Sequence, residues 1–254
     1  MKIMDNFKIK ALIILFFLVG CARSSINTRI NKSRVIYRLS DKSGEYLLSR
    51  ERGIVKSKSE LIVKRKLEQD GKVFEKSVTI STLGNYKKKL PVLRPKRSQY
   101  TVWFDGKKYL TDMELNPKDK LLEIKMVSPE PQWNGTKRVA FPEGGKGIFC
   151  FFSQVFECAL YSGFVKKAIK NDSGKMNLFV IWEGHPYFQE QYLNVSDNVF
   201  SKAIFSYDGV NSKGEKRFTL RADGQSIFYL VEEDRLDGIF WVAQGLSIIR
   251  EKKL

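Results

Sequence analysis

Histidine, cysteine and proline are scarce in this chain: one, three and seven residues out of 254. A single His rules out a metal centre built from imidazoles, and no metal or other cofactor is expected. Seven prolines are too few for a collagen or a proline-rich linker protein. Long apolar runs are also missing. The run at 11–20 is half of the about 20 residues that a bilayer-spanning helix needs. Acidic residues are outnumbered, 28 Asp+Glu against 45 Lys+Arg, which leaves a formal net charge of +17. That excess points to anionic neighbours and says little about fold. What is present is apolar bulk: hydrophobic residues make up 43% and aromatics 13%, with 18 Phe and 10 Tyr. This composition excludes a disordered chain, and the length suffices for one large domain or two small ones with a real core.

The N-terminus carries the clearest motif. Lys2, Lys8 and Lys10 form a positive head, followed by Ala11-Leu-Ile-Ile-Leu-Phe-Phe-Leu-Val-Gly20 and then Cys21. Charge, length and apolarity read as a signal peptide over 1–20. Leu18-Val19-Gly20-Cys21 resembles the lipobox of bacterial lipoproteins, over the first 21 residues only. The resemblance implies removal of the leader and a Cys21 carrying a diacylglyceryl thioether and an N-acyl chain. Each buried methylene adds about 0.8 kcal/mol, so three chains (palmitate-like) hold the protein on the membrane permanently. Residue 22 is Ala rather than Asp. By the enterobacterial sorting rule this implies the outer membrane, on its periplasmic side. The alternative is an ordinary signal peptide cleaved near Ala22, with Cys21 incidental.

The positive charge is concentrated beside that anchor. Residues 22–99 hold 21 Lys+Arg against 7 Asp+Glu, whereas 100–254 are nearly balanced. The densest clusters are Lys64-Arg65-Lys66, Lys87-Lys88-Lys89 and Arg94, Lys96, Arg97. A basic residue at an anionic membrane gains about 1 kcal/mol, fading over a Debye length of about 8 Å. The expected contacts are lipid headgroups, lipopolysaccharide phosphates or another anionic envelope polymer. The alternative is a plain solvated face. Nucleic acid is not expected, since no nucleic-acid motif is present and an exported lipoprotein rarely meets any.

Residues 21–33 are polar after Cys21 and lack periodicity, so they read as a tether reaching roughly 20 Å. One β domain is expected over 34–254. Asp-Gly recurs at 70–71, 105–106, 208–209, 223–224 and 237–238, and Asp-Gly between alternating runs signals a two-residue hairpin turn. Strands are expected at 34–40, 60–68, 73–81, 100–104, 108–115, 120–127, 176–183, 188–194, 199–207, 217–221, 226–231, 239–243 and 246–250. Short connections make them antiparallel. In 150–170, Phe152, Val155, Phe156, Ala159, Leu160, Gly163, Phe164 and Ala168 recur at helical spacing, which predicts one amphipathic helix. The fold class is therefore mainly β: a curved antiparallel sheet, half-barrel or open barrel, with that helix on its concave face. A lipid-anchored sheet curled around a helix resembles the half-barrel of LolA/LolB-like periplasmic carriers in architecture, with no functional motif matched and a more basic first half.

No catalytic residues are expected. Cys150 and Cys158 suggest a disulfide in an oxidising compartment, yet eight residues of continuous helix would hold their Cα atoms about 12 Å apart. A bridge requires the helix to begin after Cys150; otherwise two free thiols remain. A minor reading makes Cys150 and His185 a nucleophile and base, in the order seen in NlpC-type peptidoglycan hydrolases. The aromatic surroundings of Cys150 and the missing Asp-Cys-Ser-Gly pattern oppose it. His185 reads as a residue of a surface turn. Glu183 and Glu190 would serve as a glycosidase pair only across a cleft. Gly144-Gly-Lys-Gly147 lacks P-loop spacing. Trp103, Trp133, Trp182 and Trp241 read as core, and Phe152, Phe156 and Phe164 as core or the wall of an apolar groove. Two readings lead: a binding module for an amphiphilic ligand or a protein partner, and a structural scaffold whose basic half rests on anionic polymers. A groove above a few hundred Å3 favours the first, and a filled core the second.

Overall fold

The computed structural model describes residues 30–85, 91–192 and 195–251. The leader, Cys21 and Lys87, Lys88 and Lys89 lie outside them. Fifteen strands form one sheet: β1 Ile30–Asp41, β2 Gly44–Val55, β3 Glu60–Gln69, β4 Lys72–Asn85, β5 Pro91–Phe104, β6 Lys107–Asn116, β7 Leu121–Val127, β8 Gly135–Ala140, β9 Phe149–Phe151, β10 Lys175–Ile181, β11 Phe200–Val210, β12 Lys216–Ala222, β13 Gln225–Glu232, β14 Arg235–Trp241 and β15 Leu246–Arg250. Their order is β8-β7-β6-β5-β4-β3-β2-β1-β15-β14-β13-β12-β11-β10-β9. Neighbours are antiparallel except β9 and β10, which run parallel. The protein is thus mainly β, an open and curved antiparallel sheet with few helices.

No ladder joins the end strands β8 and β9. The sheet rolls instead, so that β9 comes against β5. Met113, Leu115, Leu122 and Ile124 of β6 and β7 pack on Phe149, Phe151, Phe179 and Ile181 of β9 and β10. The opposite face of that pair, with Cys150, Leu178 and Val180, joins the main core. Burial on both faces explains why 149–152 and 178–182 are unbroken apolar strings rather than alternating ones.

Turn chemistry accounts for three hairpins. Asp70-Gly71, Asp105-Gly106 and Asp223-Gly224 all have positive φ and join β3 to β4, β5 to β6 and β12 to β13. The other two Asp-Gly pairs are not turns. Asp208-Gly209 sits in a bulge of β11. Gly238 lies within β14, where a Cβ would come 3.3 Å from the Ile248 carbonyl of β15. The strand expected at 188–194 is also replaced. Tyr187, Phe188 and Gln189 are all buried, whereas a strand would turn alternate residues outward, and they form the short helix α3, Tyr187–Glu190. β1 starts inside the segment read as tether, because its ladder to β2 extends to Ile30 past the part that covers the core.

The helical segment is shorter and broken. Cys150 belongs to β9; α1 spans Val155–Tyr161 and α2 Phe164–Lys170, parted at Gly163 with φ +74°. Gln154 and Glu157, which fall between the apolar positions of that spacing, are buried as well, because Ser81 of β4 and Arg50 of β2 reach in to bond them. The late helix start brings the cysteine Cα atoms to 6.4 Å, and Cys150 is disulfide-bonded to Cys158, pinning α1 to β9. Closing so short a loop is worth about 2–3 kcal/mol by the chain-entropy account. Replacing both cysteines by Ser is expected to lower the free energy of unfolding in urea by that amount; an unchanged value would contradict this.

Candidate functional site: a charged hollow inside the roll

Cross-strand register decides which side chains enter the roll. Arg50 pairs with Arg65, Arg65 with Ser77, and Ser77 with Tyr100, and directly opposed residues share a face. This row faces inward. Arg50 Nη2 donates to Glu157 Oε1 at 2.7 Å and to the Ser153 carbonyl at 3.1 Å. The Arg65 guanidinium lies 3.8 Å from Glu75 Oε1, and the Tyr100 hydroxyl donates to Glu75 Oε2 at 3.0 Å. Glu183 Oε1 accepts from the Ser153 amide at 3.0 Å. On β4 the usual pattern is inverted. Ser77, Thr79 and Ser81 are buried while Val78 and Ile80 face outward, half-buried. Ser81 and the Thr79 carbonyl hold the side chain of Gln154, and Thr79 meets Ser153. The inner face of β2–β5 is therefore a polar cradle for residues 153–157.

The other wall is aromatic. Trp182 stacks on Trp241 with centroids 6.3 Å apart and on Phe188 at 5.5 Å. Tyr192 stacks on Trp241 at 4.9 Å and Phe152 tilts on Trp182 at 4.7 Å. Between the walls lies a hollow of about 100 Å3. Arg50, Arg65 and Glu75 line one side of it, and Phe152, Phe156, Phe188, Tyr192, Tyr229 and Trp241 line the other.

The charges are tuned by burial. Desolvation works against the Arg65 guanidinium, but Glu75 and then Glu183 hold its pKa above the usual value. Desolvation lifts the Glu183 carboxyl above the ordinary carboxylate range, against its hydrogen bond from Ser153 and the charge of Arg65. Burial and then Glu75 push the Tyr100 hydroxyl well up. The hollow thus sets two guanidinium groups and the Glu75 carboxylate against an aromatic wall.

Several expected site residues fall elsewhere. Arg65 is turned inside, opposite in facing to Lys64 and Lys66, so the three do not form one patch. Lys96 pairs with Glu60 at 2.7 Å and Arg97 with Asp112 at 2.6 Å; Arg94 is exposed on β5. Phe152 and Phe156 line the hollow, but Phe164 packs on Phe205 and Phe218 of β11 and β12. The Cys150 sulfur is bonded to Cys158, which leaves no thiol for a nucleophile. Glu183 is buried whereas Glu190 is exposed, so they flank no common cleft. Gly144–Gly147 leads into β9 rather than a helix. Periodicity missed Arg50, Glu75 and Glu157, because a charged inner row looks like a solvated one.

His185 is not on the surface; it is 5% exposed, and its Nδ1 has no hydrogen-bond partner among the described residues. Burial first, and the charge of Lys137 second, lower its pKa from 6.5 to about 4. Below pH 6.5 the unfolded chain binds a proton that the folded protein refuses until about pH 4. Stability therefore falls as pH drops through that window, by roughly 2–3 kcal/mol between pH 7.5 and pH 4.5. His185→Asn is expected to remove that part of the pH dependence, measured by urea unfolding at both pH values. Parallel losses in the two proteins would contradict it.

No family model and no curated protein matches the sequence. Among solved structures, a β-barrel-like protein of a domain of unknown function (DUF1849) from Brucella abortus is similar over 86% of this chain and 95% of its own, with 10% identity and a TM-score of 0.42.

Proposed function

We propose that this chain is a bacterial envelope lipoprotein, held on the outer membrane by acylated Cys21, and that its rolled sheet is a non-catalytic binding module for an amphiphilic ligand. The hollow between the two arginines and the aromatic wall carries this reading. Buried charges are expensive, and an apolar filling of equal volume is often as stable or more so. Arg50, Arg65 and Glu75 beside unfilled space are accounted for by a ligand whose polar head they receive while its apolar part lies on Phe188 and Trp241. The lipobox resemblance supports the anchor, and the curled sheet supports the likeness to LolA/LolB-like carriers. The volume supports the second reading, a scaffold without ligand. About 100 Å3 is well below the roughly 300–1,000 Å3 of ordinary small-molecule sites, so binding an acyl chain requires the aromatic wall to move.

Native mass spectrometry of the protein extracted from its own host, in two chemically different detergents, separates these readings. A binding module retains the same amphiphile in both detergents. A scaffold gives the bare acylated polypeptide in both.

A further inference from the structure

The convex face of β1–β4 carries cations that the protein itself leaves uncompensated. Lys66 stands directly opposite Lys76, and like charges in opposed positions destabilise a sheet. Inside the roll the matching pair, Arg50 and Arg65, is answered by Glu157 and Glu75. Outside, Lys66 meets Glu68 at 2.6 Å. Among the described residues, no carboxylate lies within ion-pair distance of Arg34, Lys64 or Lys76. The Lys76 ammonium rests 5.6 Å from the ring of Trp103, on the same face. A shallow hollow of about 490 Å3 lies between these cations, lined by Arg34, Lys64, Lys66 and Lys76, with Glu51 and Thr101. Glu51 stands between Arg34 and Lys64 in the ladder, and offsets one charge of the four.

We infer that this face binds the phosphate headgroups of an anionic lipid leaflet. The inference rests on the anchor of the proposed function for its geometry. From Cys21 to Ile30 the chain can reach at most about 30 Å, and β1 enters the sheet beside this face. The anchor therefore keeps the basic hollow close to the headgroups. Lysines on strand backbones are held in register, so several phosphates are met at once, while Trp103 suits the interfacial zone. Each basic residue near such a surface contributes roughly fivefold in partitioning. The gain is screened by salt.

The test is residue-resolved acetylation of lysines in the acylated full-length mature protein, reconstituted in phosphatidylcholine vesicles with and without one-third phosphatidylglycerol. Lys64, Lys66 and Lys76 are expected to label at least threefold more slowly on the anionic vesicles, with the difference lost in 0.5 M salt. Lys170 and Lys213 are expected to label alike on both. In the Lys64→Glu/Lys76→Glu variant, Lys66 is expected to label at one rate on the two vesicle types. Equal labelling of Lys64, Lys66 and Lys76 on both lipids overturns the inference. So does slowing by a soluble polyanion with none by anionic vesicles. Flotation with pure phosphatidylcholine reports the anchor separately: failure to float there, with slowed labelling on anionic vesicles, removes the anchor and keeps the lipid-binding face.

Discussion

Glu157→Ala is expected to cost about 3–5 kcal/mol, a large share of the stability of a single domain. Glu157 is 1% exposed and receives Arg50 at 2.7 Å. Its removal leaves a guanidinium inside the roll with the Ser153 carbonyl as its remaining hydrogen-bond partner among the described residues. The cost comes from the stranded charge rather than from the lost attraction. The double variant Arg50→Met/Glu157→Leu is therefore expected to recover most of the loss, since the pair as a whole is not needed for stability. The same double variant removes one of the two cations of the hollow and is expected to weaken binding of the proposed amphiphile. Denaturant unfolding of Arg50→Met, Glu157→Leu and the double variant gives the coupling directly. Additive losses would contradict the account of the inner row.

Gly184→Ala is the second large effect, at about 3 kcal/mol, the upper end of what overpacking commonly costs. An added Cβ would stand 2.7 Å from Phe188 Cβ and 2.9 Å from two ring atoms of Tyr100. Neither neighbour is free to move. Phe188 is stacked on Trp182, and the Tyr100 hydroxyl donates to Glu75 and accepts from Gln191, each at 3.0 Å. Displacing Tyr100 also deprives the Glu75 carboxylate of its donor. Shrinking the obstacle should help: Tyr100→Ala is expected to cost less in the Gly184→Ala background than alone. A Gly184→Ala variant within 0.5 kcal/mol of the parent would contradict this packing.

Most of the sheet was legible because outward polar and inward apolar residues alternate in β6, β12 and β13, and because Asp-Gly marks three hairpin turns of the sheet. The rest failed for physical reasons. β2 carries Arg50 and Arg52 inward, so it shows no apolar alternation. β4 alternates with Val78 and Ile80 turned outward, because its inner Ser77, Thr79 and Ser81 hold a polar segment rather than a core. β9 is three residues long and depends on β10 for its pairing. The helix was visible in spacing, but the αL residue Gly163 that splits it reads in sequence as one more small residue on the apolar face. The candidate site was the least legible part. Phe152 and Phe156 announced its aromatic wall; nothing in composition distinguishes Arg65, which faces in, from Lys64 and Lys66, which face out. Only the register of β2 and β3 does so.

The proposed anchor joins this roll to a membrane through Cys21 alone, and peptide mass spectrometry of the mature protein purified from its host membranes tests that most directly. The predicted N-terminal peptide begins at Cys21 and carries the mass of three acyl chains. A peptide that begins at Ala22, or an unmodified Cys21, would contradict it.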